Sequence, residues 1–556
     1  MPQLLSNKNF LSLIIISIPF LSFVNTNFYS FNFLFFSSVF FILFFVVIAI
    51  LLLTKFLTLF QKKLDQKILS FVLSFFFFVL FYLFPVFKDL LLFVAPIYNA
   101  EISLIFSIIF LILFLFLFFN QRYKFFKRFI LIYLYFCFIA YLGIFILNIT
   151  IFLSQKIPTD ATVLVDEKGI EYSKKNKKKN MYFVIVDAAI ALDKFDKHYN
   201  TNYFSSYTSK FENLGFNYIK NTKSAYPTTV HNLTSLFYLD YHIDENNYKK
   251  YVLTDIFPII LQKKNANKLP LIKNLNKINY KFKWFGNTSY NCEMYNLDFC
   301  LEEPGKLQKR TLIDLGVANT FLRRSPLLRI FVKIKSFLGL SGPEIFYDTK
   351  KNDSLNEFMN KMDNFKFKNQ GYFFFIHHMM PHSPLAFHSD CTLKKGLEII
   401  GTNKLAYFET MIKIKAIHVQ GYKENYECML KRVNEFVNFI NKNDPEANVI
   451  ITSDHAHDIK DFFYLRYDSF TLVKTNKECQ QNVSDNLNTA NGARLILGCT
   501  VGQKFNFLEK KVYFVNFERG HFSTGGKLRL KRLNPDDYYE FMKKIMEAGY
   551  TPDKKN

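Results

Sequence analysis

Charged side chains are scarce in the first part of this sequence. Residues 10–154 consist of long runs of Phe, Leu and Ile with few charged side chains, which is typical of membrane spans. No small-residue cleavage site follows the first apolar run, so we predict a retained helix rather than a removed signal peptide. No predicted span carries a central acidic or basic residue, which disfavours a transporter because transport pathways usually need one.

The apolar runs predict five transmembrane helices, near residues 10–25, 31–54, 68–87, 102–119 and 129–154. Positive side chains collect in the second and fourth loops between these spans, namely Lys55, Lys62, Lys63, Lys67, Arg122, Lys124, Lys127 and Arg128. Because positive residues stay on the cytoplasmic side, we predict that the N-terminus is cytoplasmic. Everything after residue 154 is then extracytoplasmic. The lysines of residues 174–179 oppose this orientation, but the rule weakens before a long translocated domain.

Cysteine motifs for zinc are also missing. The chain has seven cysteines but no CxxC spacing, so a cysteine-based zinc site is not predicted. Cys137 lies in the fifth predicted span, and the other cysteines lie in the predicted extracytoplasmic part, where oxidising conditions favour disulfides. Pairing sequence neighbours predicts the disulfides Cys292–Cys300, Cys391–Cys428 and Cys479–Cys499, although other pairings are possible. Unpaired buried cysteines are the alternative.

The formal net charge is +24. In a soluble protein such a charge indicates a nucleic-acid partner. Beside a membrane, an exported domain more plausibly meets anionic lipid head groups or glycans, so no nucleic-acid partner is predicted.

The second part of the chain has the pattern of a globular domain. Residues 155–180 form a Lys-rich linker, so we divide the chain into a membrane domain at 1–154, this linker, and an extracytoplasmic domain at 181–556. Apolar runs predict strands at 182–187, 280–285, 372–376, 448–454, 468–474 and 511–516, with helical patterns at 354–364 and 421–443. Strands that alternate with helices predict an α/β fold with a largely parallel sheet.

Acidic and imidazole side chains directly follow three of these strands, where sites form in open α/β sheets. They are Asp187, His377, His378, His382, Asp454 and His455. Asp187 alone is equally well explained as the cap of a following helix. A carboxylate and an imidazole side by side, as in Asp454 and His455, are good ligands for zinc or manganese, and His457 and Asp458 follow as partners for those ligands.

Three other segments contribute candidates. Thr228 and Thr229 lie where a helix is predicted to begin, so each is either an ordinary cap or a nucleophile in the positive potential that also attracts a phosphate. His382, between two prolines, is either a hydrogen-bonded loop residue or a donor to a phosphate oxygen or leaving group. His521 in a Gly-rich segment is a weaker candidate, equally explained by an ordinary turn.

In chain order, the segments VIVDAA, AYPTTVHNLTSL, HHMMPHSP and IITSDHAHD resemble the alkaline phosphatase and sulfatase superfamily. They are most similar to its membrane-anchored branch, the phosphoethanolamine transferases and lipoteichoic acid synthases. The resemblance implies metal ligands at Asp187, Asp454 and His455, a metal-bound nucleophile at Thr229 rather than Thr228, and a substrate contact at His382. It leaves Thr228, His378, His457 and His521 as possible substrate-binding residues.

The sequence departs from the family pattern at several positions. The formylglycine signature of sulfatases is absent near Thr229, which argues against sulfate ester hydrolysis. Ala188 follows Asp187, so the first strand offers one ligand, and a single divalent metal, zinc or manganese, is expected. Ala456 stands where the family usually has glycine after Asp-His.

The resemblance implies an enzyme that transfers a phospho head group, of the phosphoethanolamine or phosphoglycerol type, from a membrane phospholipid to an envelope glycan or lipid. A covalent phospho-threonine would be the intermediate. A periplasmic phosphoester hydrolase is one alternative, and a non-catalytic envelope scaffold, motivated by Ala188 and Ala456, is the other. The resemblance also implies a location in the bacterial inner membrane, and we expect a monomeric integral membrane protein.

Overall fold

The structure is a computed structural model. It describes residues 8–26, 33–60, 66–84, 105, 107–113, 116, 124–154, 164–244, 268–286, 353–363, 371–383, 385–394, 411–457, 465–517 and 528–533. The described residues form two compact units, one before residue 155 and one after residue 163.

Apolar helices make up the first unit. They are α1 (Lys8–Thr26), α2 (Phe33–Phe60), α3 (Gln66–Phe78, continued by a π-helical turn at Val79–Leu83) and α4 (Lys124–Ser154). Ile15 and Ile18 of α1 pack with Phe75 and Phe78 of α3 in a shared core. The hydroxyls of Tyr82 and Tyr141 lie 3.0 Å apart and join α3 to α4. These helices are apolar on all sides, which is typical of helices that face lipid or pack in a dry core.

Among the described residues, Val39–Leu59 is the one stretch long and apolar enough to cross a membrane. Three shorter apolar helices accompany it, at Leu11–Asn25, Ile68–Leu83 and Leu131–Leu147. The predicted span at 102–119 is described only in part. The count of five spans and their orientation therefore stay predictions.

A six-stranded sheet organises the second unit. Its strands are β1 (Met181–Val186), β2 (Asn217–Tyr218), β3 (Lys281–Phe285), β4 (Tyr372–His378), β5 (Asn448–Thr452) and β6 (Thr471–Lys474), in the order β2-β6-β5-β1-β4-β3. The four neighbours β5, β1, β4 and β3 are parallel, as predicted. The sheet as a whole is mixed, because β6 runs antiparallel to β5 and to β2. A separate antiparallel pair is formed by β7 (Val512–Phe517) and β8 (Leu528–Leu533).

Helices accompany the strands along the chain. In the second unit they are α5 (Glu167–Lys175), α6 (Leu192–Tyr199), α7 (Tyr203–Asn213), α8 (Thr229–Tyr238), α9 (Pro270–Lys277), α10 (Ser354–Met362), α11 (Met411–Asn443), α12 (Lys477–Gln480) and α13 (Thr489–Val501).

The central strand β1 is buried on both faces, which explains its unbroken apolar sequence. Tyr182, Val184 and Val186 enter the core that contains residues of α10 and α11. Met181, Phe183 and Ile185 enter a second core that contains residues of α8, α9 and α13. Successive side chains of a strand point to opposite faces, so this alternation makes a three-layer α/β/α unit whose parallel strand ends are free to carry a site.

Two predicted disulfides are confirmed. Cys391–Cys428 joins the segment after His382 to α11, with Cα atoms 5.0 Å apart, and Cys479–Cys499 joins α12 to α13, with Cα atoms 5.5 Å apart. Cys137 is a free buried cysteine in α4. The third predicted pair, Cys292–Cys300, lies outside the described residues.

Replacing both Cys391 and Cys428 with serine is expected to lower the free energy of unfolding by about 3–4 kcal/mol, because the bond constrains a long loop of the unfolded chain. Its sequence separation of 37 exceeds the separation of 20 in Cys479–Cys499, so the Cys479→Ser/Cys499→Ser variant should lose slightly less. The measurement is denaturant unfolding of the full-length protein in detergent. An unchanged midpoint in the Cys391→Ser/Cys428→Ser variant would contradict this expectation.

Candidate metal centre

The carboxyl ends of β1, β4 and β5 meet at one edge of the sheet. Ile185 of β1 is level with His377 of β4 and with Thr452 of β5, so the residues that follow the strands converge. Asp187 directly follows β1, and Asp454 and His455 follow β5 after one intervening residue. The parallel register therefore brings side chains together that are far apart in sequence.

Asp187, Asp454 and His455 form a buried cluster. One ligand atom from each lies within 4.8 Å of the others. His455 Nε2 is 3.4 Å from Asp454 Oδ2 and 4.0 Å from Asp187 Oδ1. Two carboxylates and an imidazole thus point at one volume, which is the arrangement of a cation site.

Hydrogen bonds orient each member of the cluster. His455 Nδ1 donates to the carbonyl of Ala456 at 2.8 Å, which leaves Nε2 of the neutral ring as a lone-pair donor towards the carboxylates. His377 Nε2 donates to Asp187 Oδ2 at 3.1 Å, and the backbone N–H of Ala188 donates to Asp454 Oδ1 at 3.2 Å. Each carboxylate is therefore held through one oxygen.

The other carboxylate oxygens, Asp187 Oδ1 and Asp454 Oδ2, are buried and accept no hydrogen bond from the described residues. Burying a hydrogen-bond acceptor without a partner costs free energy. A divalent cation bound between these two oxygens and the imidazole nitrogen would offset that cost. Oxygen and nitrogen ligands in this combination suit a transition-metal ion. The residues present therefore fit a divalent metal.

Thr229 begins α8 beside this cluster. Its hydroxyl Oγ1 lies 3.0 Å from His455 Nε2, and because that nitrogen is the unprotonated one, Thr229 is the donor. The preceding Thr228 is in extended conformation and its side chain makes no capping hydrogen bond. The first N–H groups of α8 therefore lack the side-chain cap found at α10 and α13, and the positive end of the helix lies next to the Thr229 hydroxyl.

His382 also lies at the cluster. Its backbone N–H donates to the carbonyl of Asp187 at 3.1 Å, and its Nδ1 donates to the carbonyl of Ser383 at 2.6 Å. Burial raises the pKa of Asp187, but the nearby His382 and His377 outweigh it and hold the pKa of this carboxyl below its usual range. Burial, reinforced by Arg466, lowers the pKa of His455. The cluster thus favours ionised Asp187 and neutral His455, the forms that bind metal.

The remaining predicted residues are placed differently. His378 is fully buried, and its Nδ1 accepts a hydrogen bond from the N–H of Leu355 at 3.4 Å. His457 is buried with its ring against Tyr422. Thr228 is partly buried at the helix start, and its carbonyl accepts from Asn232 Nδ2 at 2.9 Å. His521 and Asp458 lie outside the described residues.

Two site residues carried no strong sequence signal. His377 was one of an adjacent histidine pair, and only the strand register decides which of the two faces Asp187. Arg466 belongs to none of the sequence motifs, yet its Nε donates to the carbonyl of Pro227 at 2.7 Å and its charge acts on His455. Arg466 thus joins the start of α8 to the metal cluster.

Lowering the pH is expected to destabilise the metal-free protein through His378, whose pKa burial lowers to about 3. The unfolded chain, with a histidine pKa near ~6.5, binds the proton first, so stability is full above that pH and falls as the pH drops towards 3. Between pH 6.5 and 5 the loss from this residue is about 2 kcal/mol. The His378→Asn variant, whose Oδ1 can accept from Leu355, should show a shallower pH dependence in thermal unfolding with chelator present. An unchanged slope would contradict this assignment.

Known proteins were compared with the chain as a whole. No family model matches the sequence, and no curated protein matches it. Among solved structures, it is similar to the integral membrane lipooligosaccharide phosphoethanolamine transferase A of Neisseria meningitidis, with 13% identity, coverage of 88% of this chain and 95% of that chain, and a TM-score of 0.36.

Two further solved structures extend this comparison. One is the zinc complex of the C-terminal periplasmic domain of EptC from Escherichia coli, with 10% identity, coverage of 68% and 97%, and a TM-score of 0.36. The other is the lipoteichoic acid synthase LtaP of Listeria monocytogenes, with 10% identity, coverage of 69% and 96%, and a TM-score of 0.32. The solved structures to which this chain is similar thus include phosphoethanolamine transferases and a lipoteichoic acid synthase, the proteins that its motifs resemble.

Proposed function

We propose that this protein transfers a phospho head group from a membrane phospholipid to an envelope glycan or lipid, with Thr229 as the covalent nucleophile. The observation that carries the proposal is the position of the Thr229 hydroxyl. It lies at the uncapped start of α8 and 3.0 Å from His455 Nε2, beside the buried carboxylates Asp187 and Asp454.

Asp187, Asp454, His455 and Thr229 would hold one divalent metal. When bound, it would lower the pKa of the Thr229 hydroxyl and offset the negative charge of a phosphate. We propose zinc or manganese, because a set of two carboxylates and one imidazole suits both ions. The oxygens Asp187 Oδ1 and Asp454 Oδ2, which lack hydrogen bonds from the described residues, support this assignment.

The reaction that we propose has two displacements. Thr229 Oγ1 loses its proton to solvent and forms a bond to phosphorus, the bond from phosphorus to the glycerol oxygen of the lipid breaks, and diacylglycerol leaves with a proton from His382. An acceptor hydroxyl then attacks the same phosphorus and gives its proton to His382, the bond from phosphorus to Thr229 Oγ1 breaks, and Thr229 regains a proton from solvent. Covalent catalysis of this kind replaces one difficult step by two easier ones.

His382 is proposed to protonate the leaving oxygen. Its Nδ1 donates to the carbonyl of Ser383, so Nε2 is the ring atom that can carry the proton to substrate. Its backbone N–H is bonded to the carbonyl of Asp187, which fixes the loop that carries it next to the metal ligands. The partly buried ring is accessible enough to meet a head group.

The membrane unit supports a lipid donor. Helix α2 contains the stretch Val39–Leu59, which is long and apolar enough to cross a bilayer, and tethering an enzyme to the surface that holds its substrate raises their effective concentration. We propose that the chain lies in the bacterial inner membrane with its N-terminus in the cytoplasm and residues 181–556 outside. We further propose that it acts as a monomer and that the transferred group is phosphoethanolamine or phosphoglycerol, in line with the resemblance of its motifs.

The direct test is mass spectrometry of the peptide that contains Thr228 and Thr229, on full-length protein isolated from its native membrane with the metal retained. We expect an adduct on Thr229 whose mass identifies the transferred head group, together with a modified glycan or lipid. Free head group as the main product would indicate the hydrolase alternative. An unmodified peptide in a protein that also lacks bound metal would favour the scaffold alternative.

A further inference from the structure

Tyr422 of α11 lies beside the metal cluster and belongs to none of the sequence motifs. It is buried, and its hydroxyl makes two hydrogen bonds to the turn that follows β1. It donates to the carbonyl of Ala188 at 2.9 Å and accepts from the N–H of Ile190 at 3.3 Å. A side chain from a distant helix is thus bonded to the residue next to the metal ligand Asp187.

The turn that Tyr422 contacts has an unusual backbone conformation. Ala188 has a φ of 64°, in the left-handed region that is unfavourable for a residue with a Cβ atom. In this conformation its N–H reaches Asp454 Oδ1 at 3.2 Å. Ala188 therefore connects two proposed metal ligands, because it directly follows Asp187 in the chain and its N–H holds Asp454 in place.

The ring of Tyr422 also contacts the second ligand-bearing loop. Its centroid lies 4.3 Å from that of His457, with the rings edge to face. His457 is two residues after His455 and is buried. Tyr422 thus contacts both the turn after β1 and the loop after β5, the two segments that supply the metal ligands.

We propose that Tyr422 is a positioning residue for the metal site: its hydroxyl holds Ala188 in the left-handed conformation, and this keeps Asp187 and Asp454 aimed at one ion. The inference rests on the metal site of the proposed function. Both hydrogen bonds described for the hydroxyl are to backbone groups of this turn, so we expect its effect to reach the ion through the Ala188 backbone. Loss of a hydrogen bond made directly to a metal ligand typically costs about tenfold to hundredfold in metal affinity. Tyr422 acts one step further from the ion, so we expect the lower end of this range.

The neighbouring Tyr426 provides a matched control. It is one helical turn further along α11 and equally buried, and its hydroxyl donates to the carbonyl of Ile190 at 2.7 Å. The acceptor Ile190 lies two residues after Ala188, so this bond is not part of the contact between the Ala188 N–H and Asp454. Tyr426→Phe therefore removes a similar buried hydrogen bond from the same helix and the same turn while leaving the Ala188 peptide held.

The experiment is a zinc titration of metal-free full-length protein in detergent with a competing chelator. We expect Tyr422→Phe to weaken zinc binding by about tenfold or more and Tyr426→Phe to leave it within about twofold, although both should lower the melting temperature of the metal-free protein. Equal weakening in the two variants, or no weakening in Tyr422→Phe, would overturn the positioning role. A wild-type protein that binds no zinc or manganese would instead overturn the proposed function, and this inference with it.

A second variant separates positioning from a general loss of packing. Ala188→Gly removes the Cβ atom, so glycine adopts the same φ without strain and the turn depends less on the Tyr422 hydroxyl. We expect the double variant Ala188→Gly/Tyr422→Phe to recover most of the zinc affinity lost in Tyr422→Phe. Failure of this rescue, with both proteins folded, would contradict the proposal.

Discussion

Changing Thr229 to alanine is expected to abolish turnover while the protein remains folded and still binds metal. Removal of a covalent nucleophile can cost on the order of 10⁶-fold in rate; the residual activity comes from the remaining groups, which still bind and orient substrate. The side chain is partly exposed at the start of α8 and contacts His455 through a single hydrogen bond, so its loss leaves the buried cores intact. Head-group transfer in membrane vesicles, measured with labelled phospholipid, is the direct assay.

Two variants sharpen this test. Thr229→Ser keeps a hydroxyl at the same place and should retain measurable transfer. Thr228→Ala removes a hydroxyl that makes no capping hydrogen bond, so its activity should stay within about tenfold of wild type, as expected for a group outside the chemistry. If Thr229→Ala kept full activity, or if Thr228→Ala were the inactive protein, the nucleophile would be assigned wrongly.

The second large effect is expected from Asp454→Asn, which should greatly weaken metal binding and stabilise the metal-free protein. The substitution removes one of two buried carboxylates that face each other across the cluster. The asparagine oxygen can still accept from the Ala188 N–H, and its amide can point at Asp187. We expect a loss of about 100-fold or more in zinc affinity and a gain of about 1–2 kcal/mol without metal, as seen when functional sites are relieved of charge.

Asp444→Asn is the control for this prediction. Asp444 is also a buried carboxylate, but its Oδ2 accepts from Asn180 Nδ2 and the hydroxyl of Tyr182, at the opposite end of β1. Its replacement should lower stability and leave zinc affinity unchanged. If Asp454→Asn destabilised the metal-free protein as Asp444→Asn does, the cluster would be a structural hydrogen-bond network and not a metal site.

The positions of the central strands were predictable because each is a short apolar run bounded by polar residues. The predicted strands at 182–187, 372–376 and 448–454 correspond to β1, β4 and β5, and the helical patterns at 354–364 and 421–443 correspond to α10 and about the last two thirds of α11. Strand β2 escaped prediction because it has only two residues, too few for a periodic pattern. The antiparallel direction of β6 has no sequence signature at all, because direction depends on how the chain returns to the sheet.

The candidate residues of the site were also identified from sequence, but their geometry was not. Asp187, Asp454 and His455 were expected at strand ends, and the parallel register brings them within 4.8 Å of one another. The resemblance left His378, and not its neighbour His377, as a possible substrate-binding residue. The alternation of the strand decides that His377 bonds to Asp187, whereas His378 bonds to the N–H of Leu355.

The sequence by itself determined the apolar character of the first part of the chain, the alternation of strands and helices in the second, and the residue types available for chemistry. These are local properties, encoded in composition and in periods of two and 3.6 residues. Only the tertiary structure decided that Tyr422 holds the Ala188 turn, that Arg466 reaches Pro227, and that Thr229 Oγ1 meets His455 Nε2. Each of these contacts joins residues that are far apart in sequence, and such contacts form only when the sheet is assembled and its helices are packed.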